Sequence, residues 1–174
     1  MEHKQLAAMA RQGDKEALVH LIMAQHRQYY QLAYVYMKNQ HDVLDAIQDM
    51  IVALYENIHR LKNAESFSTW SKVILVNCCK NLLRKKQKIV PLDNIQEEKD
   101  SWLEVGKQEE MILLEGLMSK LSNKQREVVN LRYALDLDYQ TIAEILKIPL
   151  GTVKSRIFSS LKQMKESMGG ELDD

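Results

Sequence analysis

The chain has 174 residues, 24 basic against 24 acidic, 45% hydrophobic, with only six glycines and two prolines. Few helix breakers and no alternating β-branched run exclude a sheet protein and leave an all-α fold, in one large or two small domains. The zero net charge argues against strong autonomous DNA binding, yet it hides an uneven spread. Residues 1–90 carry +5, residues 91–116 carry −6 and residues 117–174 carry +1, as in two domains joined by an acidic connector.

Gly13-Asp14 ends a short opening helix and caps a longer one, predicted to run to about Met37 with Leu18, Leu21, Ile22, Tyr29, Leu32, Ala33 and Tyr36 buried. Asn39 to Asp42 reads as a turn, with Asp42 the candidate cap of a helix over about 42–58. Val43, Ala46, Ile47, Met50, Ile51, Leu54 and Ile58 form its expected core side. Asp42, Asp45, Asp49 and Glu56 fall on another face, with Gln48 and Val52 beside them. Such a stripe is either solvated or docks on a basic partner.

A polar loop, Arg60 to Ser66, precedes a long helix from Phe67 to about Lys86, with Phe67, Trp70, Ile74, Cys78 and Leu82 predicted inward. Asn77, Lys80, Asn81, Arg84 and Lys88 gather opposite and run into Arg84-Lys85-Lys86-Gln87-Lys88. A basic helix end complements the helix dipole. With amides one and two turns earlier it also suits a nucleic-acid strand, phosphates to the cations and bases to the amides. Cys78 and Cys79 are neighbours on that helix, about 100° apart, and read as two packed thiols.

From Pro91 to about Gly106 no period survives and acids dominate, so this stretch reads as a flexible acidic linker with Trp102-Leu103 its only apolar island. Helices over about 107–119 and 123–134 follow, Ser122 capping the second. Leu121, Val128, Val129, Leu131 and Tyr133 are expected to support what comes next. Tyr139, Ile142, Ala143 and Leu146 keep a helical spacing after Asp138, a candidate N-cap, and Lys147-Ile148-Pro149 breaks it. A further helix places Leu150, Val153, Ile157, Leu161, Met164 and Met168 on one face. Two helices on a tight turn read as a helix-turn-helix, whose second helix enters the DNA major groove. Its outward face holds Lys154, Phe158 and Lys162, with Ser155 and Ser159 beside them. A phenylalanine there either meets a thymine methyl or packs on a neighbouring helix.

No phosphate loop, carboxylate pair or activated nucleophile is present in the sequence, so no enzyme is expected, and no cofactor. The five histidines are scattered and give no metal site. No run approaches the roughly 20 apolar residues of a membrane span. Met1 to Gln5 leads into no signal-peptide core, so a cytoplasmic protein without membrane insertion is expected.

Nearly the whole chain resembles a bacterial RNA polymerase sigma factor of the extracytoplasmic-function (group IV) branch of the sigma-70 family. Asp42-Val43-Leu44-Asp45-Ala46-Ile47-Gln48-Asp49 resembles that family's docking segment for the polymerase clamp helices. Phe67-Ser68-Thr69-Trp70, Asn77 and the basic helix end resemble its promoter-melting, −10-reading segment. Leu121 to Tyr133, followed by Ile148-Pro149-Leu150-Gly151-Thr152-Val153-Lys154-Ser155-Arg156, resembles its −35-binding domain.

The resemblance implies sigma region 2 over 1–89, an acidic linker over 90–108, sigma region 4 over 109–170 and a tail over 171–174. It implies an alternative sigma factor, whose partners are core RNA polymerase (clamp helices and flap), promoter DNA and an anti-sigma factor. Asp42, Asp45, Gln48 and Asp49 would bind polymerase. Arg60, Lys62, Asn63, Trp70, Asn77, Lys80, Asn81, Arg84 and Lys85 would serve the −10 DNA, the 60–67 loop and Asn77 holding a flipped base. Thr152, Lys154, Ser155, Arg156, Phe158, Ser159 and Lys162 would serve the −35 DNA. Many relatives have arginines where this chain has Ser159-Ser160, a departure that bears on the phosphate grip. The alternative reading is a helix-turn-helix regulator with an N-terminal sensing or dimerising domain; a helical adaptor would leave Phe158 and the basic helix end unexplained.

Overall fold

The computed structural model describes residues 2–89 and 108–169, and every regular element among them is helical. The chain divides into two compact units, Met1–Glu98 and Lys99–Asp174. The linker expected over 90–108, with Trp102, and the tail over 171–174 lie outside the described residues, apart from the single position 108.

In the first unit, α1 (Glu2–Arg11) ends on Gly13, whose φ of 101° suits a residue without a Cβ. Asp14 then caps α2 (Lys15–Ala24), accepting from the Ala17 amide at 3.0 Å. The helix expected to run on to Met37 stops instead at Gln25 (φ −114°, ψ 8°), and α3 spans His26–Met37. The break is satisfied locally: the Gln25 amide donates to the Ile22 and Met23 carbonyls, and its side-chain oxygen accepts from Ser68 Oγ at 2.8 Å. Each half buries its own face, Ala17, Leu18, Leu21 and Ile22 before the break and Tyr29, Leu32, Ala33 and Met37 after it. Tyr36, expected inside, is half-buried.

Asn39, rather than Asp42, caps the next helix, α4 (Gln40–Asn57), accepting from the Asp42 amide at 2.9 Å. Asp42 sits inside the first turn, 6% exposed, its carboxylate hydrogen-bonded by Asn39 Nδ2 and ion-paired with Lys86. Val43, Ala46, Met50 and Leu54 set the buried stripe of α4. Ile51, one residue and about 100° past Met50, falls outside that stripe and is exposed, contrary to the sequence pattern.

Two short 3₁₀ turns, Ile58–Arg60 and Ala64–Ser66, lead into α5 (Phe67–Ile89). This helix packs between α3 and α4. Its buried face is Phe67, Ser71, Lys72, Leu75, Val76 and Cys79, while Trp70, Ile74, Cys78 and Leu82 are half-buried. The predicted stripe was one residue out of phase because two polar residues hold the centre of the true one. Each has a partner: Tyr29 donates to Ser71 Oγ at 2.8 Å, and Lys72 Nζ donates to Ser68 Oγ at 2.9 Å. No buried side-chain nitrogen or oxygen among the described residues lacks a hydrogen bond, as a stable interior requires.

The second unit starts with α6 (Gln108–Ser119), and Ser122 and Gln125 form a reciprocal capping box at α7 (Asn123–Val129). One π turn, Asn130–Ala134, widens the end of α7 and swings Tyr133 out to 55% exposure, so Leu121, Val128, Val129 and Leu131 alone of the expected set are buried. Asp138 caps α8 (Tyr139–Leu146), accepting from Thr141 N at 2.8 Å. That amide bond, with the Thr141 hydroxyl, holds the Asp138 carboxyl below its ordinary value. Lys147 turns left-handed (φ 55°), and Pro149 opens α9 (Leu150–Ser167). On α9 the buried residues are Val153, Ile157 and Ser160; Leu150, Leu161 and Met168, expected on the core face, are exposed. Helices α6, α7 and α8 all pack on α9.

The Tyr29–Ser71 bond gives a direct test of the α5 phase. Ser71→Ala strips a buried phenol of its acceptor and should cost about 1–3 kcal/mol, much of it recovered when Tyr29→Phe is added. Burial, only partly offset by the Ser71 bond, pushes the Tyr29 pKa from 10.0 up to about 12. Folding therefore favours the protonated phenol, and this contribution is intact below pH 10 and lost as the pH climbs from 10 toward 12. Denaturant melts across that range should show a shallower alkaline decline for Tyr29→Phe.

Candidate protein and nucleic-acid interfaces

The outward side of α4 carries two adjoining stripes. At 100° per residue, Leu44, Ile51 and Tyr55, with Gln48 and Val52, form one, and Asp45, Asp49 and Glu56 form the other. Leu44, Ile51, Val52 and Tyr55 are all exposed, Tyr55 at 52%. An apolar strip edged by one sign of charge is what a specific protein partner covers, with the apolar part supplying area and the charges register. The sequence reading found the acids and missed Leu44 and Tyr55. Their spacing off the core phase was the available signal. Asp42 does not join the acidic stripe: it is enclosed and committed to Lys86. Burial raises its carboxyl, but the hydrogen bonds from Asn39 and Lys86 and the Lys86 charge bring it below the ordinary carboxylate value. His41, exposed, stands with Asp42 and Asp45 in a cluster whose ligand-type atoms lie within 4.8 Å, closer company than the scattered histidines suggested.

On α5 the phase that buries Ser71 and Leu75 turns the opposite side outward. Trp70, Asn77, Asn81, Arg84 and Lys88 lie on that side, over about 27 Å of helix at 1.5 Å per residue. Asn77, Asn81, Arg84, Lys85 and Lys88 are exposed, and Arg84 Nη1 donates to Asn81 Oδ1 at 3.2 Å. Trp70, half-buried, stands beside Phe67 with ring centroids 6.3 Å apart, so its indole floors the start of the stripe. Lys80 is half-buried on the flank, its ammonium 5.9 Å from the centre of the Tyr36 ring. Arg60 and Lys62 are exposed in the loop before α5. Asn63 is exposed too, but its side-chain Oδ1 already caps the following turn, accepting from the Glu65 amide at 3.0 Å. Cys79 is fully buried and pushed up to about 12, and Cys78 is raised by burial and by the Asp49 charge. For both thiols burial disfavours the thiolate.

On α9 the side opposite Val153 and Ile157 carries Ser155, Phe158 and Lys162, with Lys154 to one flank and Thr152 and Ser159 to the other. Phe158 is 73% exposed, which decides against its packing on a neighbouring helix of this unit. Arg156 is half-buried at the edge of the core. Ser160 is fully buried, its hydroxyl closed onto the Arg156 carbonyl, so of the Ser159-Ser160 pair only Ser159 faces outward. Arg132 was not foreseen. Its guanidinium bonds Asp136 Oδ1 at 3.3 Å and the Leu137 carbonyl at 3.2 Å and lies over the Tyr133 and Tyr139 rings. It lines, with Gln140 and Lys154, a groove at the start of both helices of the helix-turn-helix.

Residues 21–89 match the family described as Sigma-70 region 2, and residues 111–164 match Sigma-70, region 4. The RNA polymerase sigma factor SigV of Bacillus subtilis is 32% identical, over 89% of this chain and 93% of its own. The ECF RNA polymerase sigma-E factor of Haemophilus influenzae is 27% identical, over 94% and 93%. Among solved structures, CnrH in complex with the cytosolic domain of CnrY has a TM-score of 0.70 at 20% identity, covering 98% of this chain and 99% of that one. The sigma factor RpoE with the anti-sigma factor NepR from Bartonella quintana has a TM-score of 0.67 at 18% identity, covering 90% and 98%.

Exposure separates the two neighbours Ile157 and Phe158. Phe158→Ala should change the unfolding free energy by less than about 0.5 kcal/mol, as at an ordinary surface position. Ile157→Ala, which empties a core site, should cost about 2–5 kcal/mol. Chemical denaturation of the two variants reads both, and a Phe158 loss comparable to that of Ile157 would reassign the ring to packing.

Proposed function

Because the chain belongs to the extracytoplasmic-function group of the sigma-70 family, we propose that its three outward faces divide the work of an alternative sigma factor, which directs promoter-specific transcription initiation. Sigma factors are non-catalytic initiation factors, and each face here is built for binding. The observation that carries the reading is the outward stripe of α5. One aromatic, two amides and two cations on a single helix face are the means to hold an unpaired strand.

In this reading residues 1–89 form region 2 and residues 109–170 form region 4, joined by the acidic linker 90–108 and followed by the tail 171–174. The acid–apolar face of α4 docks on the polymerase clamp helices through Asp45, Gln48 and Asp49, helped by Leu44 and Tyr55. The exposed Ile112, Leu113 and Leu114 of α6 offer apolar area to the polymerase flap. Arg60 and Lys62 with Asn63, Trp70 and Asn77 surround a base of the −10 strand, while Lys80, Asn81, Arg84 and Lys85 hold its backbone. Lys154, Ser155 and Phe158 read the −35 duplex. Thr152, Arg156, Ser159 and Lys162 position the helix, and Arg132 and Gln140 stand by the backbone. An anti-sigma partner is proposed as well, since one similar structure is the sigma factor RpoE bound to the anti-sigma factor NepR, and the other is CnrH bound to the cytosolic domain of CnrY. The working compartment is the cytoplasm, and no described helix is long and apolar enough to cross a membrane.

Reversing the acidic stripe tests the docking assignment. Asp45→Lys with Asp49→Lys should abolish co-elution with core polymerase, while each change alters folding stability by no more than about 0.5 kcal/mol. Intact polymerase affinity in the double variant would reduce the stripe to a solvated face.

Asn77 tests the strand assignment. An amide offers donor and acceptor to a base edge, and capturing an unstacked base lowers the cost of opening the duplex. Asn77→Ala should leave polymerase binding intact and slow open-complex formation on duplex promoter. A template already melted at the −10 element should restore most of the rate. Equal impairment on both templates would count against base capture.

A further inference from the structure

The last two turns of α5 carry Arg84, Lys85, Lys86 and Lys88, all exposed, and one of the four is tied to the body of the unit. Lys86 lies about 100° or more around the helix from Lys85, Arg84 and Lys88. It reaches α4, where its ammonium bonds Asp42 Oδ2 across 44 residues of sequence. Asp42 is itself fixed: its amide donates to Asn39 Oδ1 at 2.9 Å, and its Oδ2 accepts from Asn39 Nδ2 at 2.6 Å. A chain of contacts thus runs from the cap of α4 through Asp42 to the end of α5. No other ion pair among the described residues joins the last turn of α5 to the unit. A helix end with exposed residues frays unless it is tied down.

We infer that Asp42 is a positioning residue for strand binding: through Lys86 it holds the end of α5 against fraying and so keeps Arg84, Lys85 and Lys88 aimed at the phosphates. This rests on the strand-binding role proposed above for α5. It also removes Asp42 from the polymerase-docking set, although it belongs to the same run of sequence. Lys86, on the side of α5 away from the strand face, uses its charge to hold in place the three cations that are on it.

The test uses the full chain assembled with core polymerase. Its variants are Asp42→Asn, Asp42→Glu, Lys86→Met, the double Asp42→Asn/Lys86→Met, and Arg84→Ala/Lys85→Ala. Two quantities are measured: affinity for core polymerase, and the affinity for a fluorescent oligothymidine strand that the chain adds over core alone, at several salt concentrations. Asp42→Asn and Lys86→Met should each leave polymerase affinity within about twofold and weaken the strand about three- to tenfold. The salt slope should fall by about 0.7 for each phosphate that is no longer neutralised. The double variant should be no weaker than either single one, because both remove the same pair, and Asp42→Glu should restore part of the strand affinity. Loss of polymerase affinity in Asp42→Asn overturns the inference and returns Asp42 to docking. Unchanged strand affinity, or additive losses in the double variant, overturns it as well. If Arg84→Ala/Lys85→Ala leaves the strand unaffected, the α5 face itself is not the strand interface and the broader reading falls with it. If that variant weakens the strand and Asp42→Asn does not, only the positioning role falls.

Discussion

The rotational setting of α5 is the constraint on which the first unit depends, and buried polar bonds fix it. A helix held only by aliphatic contacts tolerates small rotations, because dispersion and area burial are not directional. Ser71 and Ser68 remove that tolerance. With Ser71 away from Tyr29, a phenol in the middle of the core loses its acceptor. With Ser68 away from Gln25, a half-buried hydroxyl loses its own. Each loss is of the order of 1–3 kcal/mol, a large fraction of the stability of a small domain. Only one setting satisfies both, and it is the setting that turns Asn77, Asn81 and Arg84 to solvent.

The same network reaches the neighbouring elements. Ser68, which accepts from Lys72, donates to Gln25, the residue at which α2 gives way to α3. Tyr29, which holds Ser71, lies one turn beyond that break. The break in the helix and the phase of α5 thus share one set of hydrogen bonds. At the other end, Asp42 and Lys86 tie α5 to the capped start of α4. The charged and amide groups of the strand face are held by a frame of polar contacts on the far side of the same helix.

Legibility from sequence followed the range of the interactions. The all-helical class, the caps at Asp14, Ser122 and Asp138, and the helix-turn-helix were all readable because their signals act within four residues. What failed was long-range. The break at Gln25 answers to Ser68, 43 residues away, and the burial of Asp42 answers to Lys86, 44 residues away. A carboxylate on a helix was read as surface, and Ser71 and Lys72 were absent from the expected buried stripe. Tyr133 escaped for a different reason: one π turn at the end of α7 shifted its direction, and nothing in its spacing announces such a turn. The outward faces of α5 and α9 were legible in part, since amides and cations off the apolar phase have nowhere else to go. The apolar strip on α4 was overlooked because Leu44 and Tyr55 look like core residues until the core is seen to be complete without them.

Ser159-Ser160 shows how one sequence feature divides once its two positions are placed. At position 160 the side chain is fully enclosed and its hydroxyl bonds the carbonyl one turn back, so the small residue is a packing requirement. An arginine there would have to displace the contact of α9 with the rest of the second unit before reaching any phosphate. Position 159 is open, with Gln125 Nε2 donating to its hydroxyl at 3.4 Å. Gln125 also bonds Gln163, and Gln163 bonds the Lys120 carbonyl at 2.8 Å, so this side of α9 is fastened to the start of α7 by neutral groups. The cations of α9 outside the core edge are Lys154 and Lys162 on the exposed face and Lys165 further along. In the reading proposed above, phosphate attraction on the exposed face of this helix would come from lysines, which act as point charges rather than bidentate forks. Sequence discrimination would fall to the short polar and aromatic residues between them, Ser155 and Phe158. A weakly anchored helix would then fit a chain of zero net charge, with much of its DNA affinity supplied by the partner proposed to bind it.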